Sequence, residues 1–167
     1  MLLTNASTDE YFLYQKVKIK KKYSNKELIF LKYFNKKTEI WPSNVIITEH
    51  FIFFFVRGRD YFKARLFRAS FRKNLERKIL IIRAEKVLIK LLFGFFPDPY
   101  IHDLKLVINK KSGLKTVTVY FLSFKDRGIA IGRKGEYIKA INEIFEKFVI
   151  LEDVETPIKI KCENIYL

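Results

Sequence analysis

The stretch Ile129-Ala130-Ile131-Gly132-Arg133-Lys134-Gly135-Glu136-Tyr137-Ile138 constrains the fold more than any other part of the chain. It reads as a short apolar segment, a Gly-x-x-Gly loop with a cation at each x, and the start of a helix. Apolar residues recur at three- and four-residue steps from Ile138 through Ile141, Ile144, Phe145 and Phe148, with Lys139, Asn142, Glu143, Glu146 and Lys147 on the other face. That spacing predicts an amphipathic helix. Two glycines allow a tight turn and leave no β-carbons to hold a ligand away. The free N–H groups of a helix start favour an anion, and Arg133 and Lys134 add positive charge at the same place. A sugar-phosphate backbone suits that combination. A basic turn between two helices would carry the same letters, so the surroundings must decide.

With 167 residues the chain has room for one ordinary domain or two small ones, and 49% hydrophobic residues allow a core. The net charge of +15 points to a polyanion, either nucleic acid or an anionic membrane surface. No apolar run reaches the ~18–20 residues of a membrane span. Val45 to Val56 comes closest, and Glu49 and His50 break it. Met1-Leu2-Leu3-Thr4 runs straight into polar residues, so no secretory signal is expected. A single cysteine, Cys162, suits a reducing compartment. Phe (17) and Tyr (9) are abundant beside Ile, Asn and Lys, while Gly (6) and Pro (4) are scarce. AT-rich codons favour that set, so the expected location is an organelle, a plastid foremost, or a bacterial cytoplasm.

Residues 1–15 carry no strong pattern and read as a loosely attached lead-in. From Lys16 the pattern is β. Val17 and Ile19 alternate with lysines, a turn at Tyr23–Lys26 leads to a strand over Leu28–Phe34, and Thr38 to Trp41 makes a short strand. Val45 to Val56 is rich in β-branched and aromatic residues. Tyr61 to Phe71 and Arg77 to Ile82 form two further candidate strands around a basic turn, Arg72-Lys73-Asn74. Short strands at near-regular spacing predict a small OB-like β-barrel over 16–83, a class that binds oligonucleotides on one face. Tyr33 and Trp41, set among lysines, are candidates to stack bases. Core packing is the competing reading for both.

The pattern changes near Arg83. Val87, Leu88, Leu91 and Leu92 mark a helix over Ala84 to Phe93, stopped by Gly94 and Pro97. Leu104, Leu106 and Ile108 alternate with polar neighbours, Lys110-Lys111-Ser112-Gly113 turns, and Val117, Val119 and Phe121 alternate back as a hairpin. A short helix, the glycine loop, the long helix and a last strand over Ile158, Ile160 and Cys162 follow. This α-β-β-α-α-β order over 84–167 resembles a type II KH domain, whose Gly-x-x-Gly loop clamps about four nucleotides. The expected fold class is therefore α+β, a small OB-like barrel followed by a type II KH domain.

The likeness extends to motifs. Lys78-Ile79-Leu80-Ile81-Ile82-Arg83, then Leu91-Leu92-Phe93 and Pro97, resembles the barrel–KH junction of the NusA family of transcription elongation and termination factors. Asn109 to Tyr120, with Gly113 at its turn, resembles the family's basic hairpin, and Asp126-Arg127-Gly128 to Gly135 resembles its Asp-x-x-Gly and Ile-Gly-x-x-Gly segment. Ile82 stands where the family has serine, and Phe96-Pro97-Asp98-Pro99 where it has Val-Pro-Glu-Ile. The chain reads as too short for the family's polymerase-contacting domain or a second KH domain. The resemblance implies binding of single-stranded RNA through Gly132, Arg133, Lys134 and Gly135; Ile131, Lys139 and Arg127 beside the loop, and Lys110 and Lys111 on the hairpin, whose basic residues match the family only in part, are further candidates.

No catalytic or metal-binding spacing stands out. Gly128 to Gly135 lacks the spacing and the Ser or Thr of a Walker loop, and His50, His102 and Cys162 form no ligand set. His102 beside Asp103 reads more simply as a turn residue than as a general base. A non-enzymatic protein without cofactor or metal is expected. Three functions remain: an RNA binder of transcription elongation, termination or antitermination, associated with a bacterial-type RNA polymerase; a structural protein of an organelle-type ribosomal subunit; and a membrane-surface protein using the Phe-rich run 51–55.

Overall fold

A computed structural model describes residues 9–71 and 76–165. The chain divides into two compact units, Ile19–Glu85 and Lys86–Leu167, the second including the chain start through Lys18. Each is α+β with a small open sheet.

In the first unit, α2 (Asn25–Thr38) precedes the strands β2 (Asn44–Ile47) and β3 (Phe51–Val56), the helices α3 (Gly58–Arg65) and α4 (Arg68–Phe71), and β4 (Lys78–Arg83). The sheet order is β2-β3-β4, with β3 antiparallel to β2 and parallel to β4. The expected barrel over 16–83 is therefore not what forms. Two of its strands are helices. Over Leu28–Phe34 the apolar residues are nearly continuous, which leaves the period open. The buried positions Glu27, Phe34 and Thr38, with half-buried Phe30 and Leu31, follow the helical period. Over Tyr61–Phe71 the residues turned inward are Tyr61, Ala64 and Phe71, again three or more apart. With those segments helical, too few strands remain to close a barrel, and the helices cover one face of an open sheet instead. Phe34, Phe54 and Phe71 meet there with Ile52, Val56 and Ala64. Every residue of β3 is buried, so the Phe-rich run 51–55 is not an exposed membrane-facing patch.

The second unit begins with residues 9–13, which are helical (α1) and bury Phe12 and Leu13. A short strand, β1 (Val17–Ile19), pairs with β7 (Val149–Leu151). Residues 84–87 are not helical, and Val87 pairs with Lys16, so α5 (Leu88–Phe95) starts later than its apolar spacing predicts. It runs through Gly94 and ends before Pro97. The hairpin forms as expected from β5 (Ile101–Ile108) and β6 (Lys115–Phe121), with Gly113 at φ +72° in its turn. Then come α6 (Phe124–Ile131), a 3-10 turn at Arg133–Gly135, α7 (Glu136–Lys147) and β8 (Lys159–Asn164). The sheet order is β5-β6-β8, with β6 antiparallel to β5 and parallel to β8. Helix, two strands, two helices and a strand thus occur in both units with the same strand pairing.

Cys162 lies on β8 with its side chain buried. Burial pushes its thiol up to about 12, against a downward pull from Arg127 and with a further push from Glu163. The thiol should resist an aromatic disulfide reagent at pH 8 until denaturant is added. Between an unfolded value of about 8.5 and the folded value, the unfolded chain ionises first, so stability falls as pH rises through that window. Below it the group contributes nothing. The alkaline loss of Tm should be smaller in Cys162→Ala, and equal losses would sink this account.

Candidate nucleic-acid interface

The loop is built by its neighbours. Ser123 caps α6, its Oγ accepting from the Asp126 N–H at 3.0 Å. Gly132 ends that helix at φ +81° and ψ 170°, a conformation open to glycine. Space requires glycine there as well, since a β-carbon would lie 2.7 Å from Tyr137 Cβ. Lys134 (φ +55°) and Gly135 (φ +72°) then take the left-handed conformation, and α7 begins at Glu136. Gly132→Ala should therefore displace the loop and lower Tm, while Gly135→Ala, with only Lys139 Cε within 4 Å, meets dihedral strain alone. Equal Tm values for the two variants would mean that the contact with Tyr137 is easily relieved. Arg133 and Lys134 are exposed, with their side chains toward solvent.

Beside the loop runs a groove with α6 and α7 on one wall and β8 on the other. Half-buried Ile131 and Ile138 give it apolar surface, with the almost fully buried Ile158 and Ile160 beneath. Along α7 its lining residues are Lys139, Asn142, Glu143 and Glu146, at helical steps. The cation lies nearest the glycine loop and the carboxylates furthest from it, so an anion is favoured at the loop end. Asn142 fixes the far wall. Its amide accepts from the Ile160 N–H at 2.8 Å and donates to the Ile160 carbonyl at 3.0 Å, taking a neighbouring strand's place at the edge of β8. Arg127 is half-buried and donates from Nε to the Cys162 carbonyl at 3.3 Å, which makes it part of that wall as well as a source of charge.

Ile131, Lys139 and Arg127 line this groove, and Gly132, Arg133, Lys134 and Gly135 form the loop between its lining residues Ile131 and Ile138. The other candidates lie elsewhere. Lys110 lines a separate depression along β5, and Lys111 sits exposed in the hairpin turn, its N–H donating to Asn109 Oδ1. Tyr33 and Trp41 belong to the first unit. The Tyr33 ring packs 5.8 Å from Phe71 and lies under the Lys37 ammonium at 5.5 Å, while Trp41 is exposed. Asn142 and the β8 lysines Lys159 and Lys161 escaped sequence reasoning. Their role depends on α7 and β8 being adjacent, and only their alternation with Ile158, Ile160 and Cys162 hinted at an outward face.

No protein-family model matches the chain, and no curated protein matches it. Among solved structures, the crystal structure of APE1850 matches with a TM-score of 0.61 and 23% identity, over 84% of this chain and 100% of that one. The two chains share a fold. At that identity APE1850 lends this chain an architecture and no residue roles.

Proposed function

We propose that the chain is a KH-type, NusA-like RNA-binding protein that grips single-stranded RNA at the Gly132–Gly135 loop and acts on nascent transcripts in elongation, termination or antitermination. One observation carries the reading. Two exposed cations sit on a glycine-built loop at the start of α7, at the cationic end of an apolar groove. Phosphates would lie against Arg133 and Lys134 at the start of α7, while bases would turn onto half-buried Ile131 and Ile138. The α-β-β-α-α-β order of both units supports the KH assignment.

Binding of a short single-stranded RNA should weaken steeply with salt, with a log-log slope of about −0.7 per phosphate neutralised. A clamp on about four nucleotides predicts a slope near −3. A flat response between 50 and 200 mM salt, a range over which counterion release is readily seen, would count against the proposal. Cosedimentation then places the activity. Association with a bacterial-type polymerase supports the transcription role, and association with a ribosomal subunit would replace it by a structural one.

A further inference from the structure

The first unit repeats the strand pairing of the second, so the junction between α3 and α4 holds the topological place of the glycine loop. Its chemistry differs. Arg65-Leu66-Phe67-Arg68 has no glycine, and Leu66 keeps a right-handed helical backbone at φ −61° and ψ −24°. The N–H groups of Leu66, Phe67 and Ser70 donate to the carbonyls of Lys63, Ala64 and Phe67 at 3.2, 3.1 and 3.0 Å. Those amides are spent inside the helical turns, as are those of Gly135 and Glu136, which donate to the Gly132 and Arg133 carbonyls, but no αL residue turns the backbone here as at Lys134 and Gly135.

Side chains occupy the surface instead. Phe62 is 69% exposed and Leu66 82% exposed, four residues apart on one helical face. Arg59 and Lys63, also exposed and four apart, form the adjacent stripe. Asp60 is the single carboxylate of this stretch, and Arg59 faces it at 3.9 Å. Leu66 offers no stacking face, and the Arg83 guanidinium already lies 5.4 Å from the Phe62 ring centroid. Apolar side chains bordered by cations suit an amphipathic partner with carboxylates beside its own apolar face.

We propose that the α3–α4 face around Phe62 and Leu66 is a docking surface for an acidic, amphipathic helical segment of another protein, whose carboxylates meet Arg59 and Lys63. The proposal rests on the RNA-binding reading only in assigning RNA to the other unit.

The test places the photo-cross-linker p-benzoylphenylalanine at position 66 of the full-length protein in its source cells. The expected product is a nuclease-resistant protein adduct whose cross-linked peptide combines several carboxylates with leucine or phenylalanine. Its yield should fall about tenfold in Arg59→Glu/Lys63→Glu, since like charges then face each other. In parallel, Arg59→Glu/Lys63→Glu without the cross-linker should bind single-stranded RNA within about threefold of wild type at physiological salt, since neither residue belongs to the unit that carries the glycine loop. A nuclease-sensitive adduct, a cross-linked peptide lacking carboxylates, no adduct, or an RNA defect as large as that of Arg133→Asp/Lys134→Asp would each overturn the proposal. Retained RNA binding in Arg133→Asp/Lys134→Asp alone would instead overturn the assignment of the glycine loop.

Discussion

A full-length protein carrying Arg133→Asp and Lys134→Asp should lose single-stranded RNA binding by two to four orders of magnitude and melt where the wild type melts. Both side chains are exposed, and neither glycine is touched. Lys134 sits at φ +55°, a left-handed conformation that Asp tolerates better than most side chains, so the exchange suits the backbone. The binding loss has two sources. Two charge-assisted contacts at about 1.5–3 kcal/mol each disappear, and two carboxylates oppose phosphates at the start of α7. At 1.4 kcal/mol per decade, about 3–6 kcal/mol gives the stated range. Affinity within about twofold of wild type in a folded double variant would reduce the loop to a turn, with only the topology left standing.

The second unit was largely legible because its segments declare their period. Leu104, Leu106 and Ile108 alternate on β5, and Ile141, Ile144 and Phe145 step by three and one along the buried side of α7. Glycine and cation spacing located the loop. Ile138 and Phe148, counted with the apolar face, are only half-buried, and Ile138 lines the groove. A helical wheel gives a direction for each side chain but not which neighbour lies there.

The first unit was misread for a physical reason. Leu28-Ile29-Phe30-Leu31 presents apolar side chains all around any axis, and its abundant aromatic and β-branched residues raise strand propensity. The opposing signal was small: Ser24 followed three residues later by Glu27, the spacing of a helix start. The structure places Ser24 at the N-cap position, without a side-chain cap bond. Tyr61 to Phe71 hid its helices similarly, since Phe62, Ala64 and Leu66 alternate while Tyr61, Ala64 and Phe71 follow the helical step. Without a second Gly-x-x-Gly, nothing in the letters announced that the two units repeat one topology.

Leu28 and Phe34 separate the two readings of that segment by experiment. Six residues apart, they would share a face of a strand, because side chains alternate with a period of two. On a helix, six steps of about 100° leave them about 120° apart, on different sides. In α2, Phe34 is fully buried and Leu28 is exposed. The Phe34 ring lies 4.5 Å from that of Phe54 and stacks on Phe71 at 5.4 Å and 8°. Phe34→Ala should therefore cost about 3–5 kcal/mol, for lost transfer energy, a cavity between two rings that cannot both close on it, and lost aromatic contacts. That is a large part of the roughly 5–15 kcal/mol that holds a domain together. Leu28→Ala should cost no more than about 1 kcal/mol, since the side chain is only partly covered and alanine favours the helix. Urea midpoints of the two variants against wild type decide the matter. Comparable losses at both positions would put them on one buried face and return the segment to a strand.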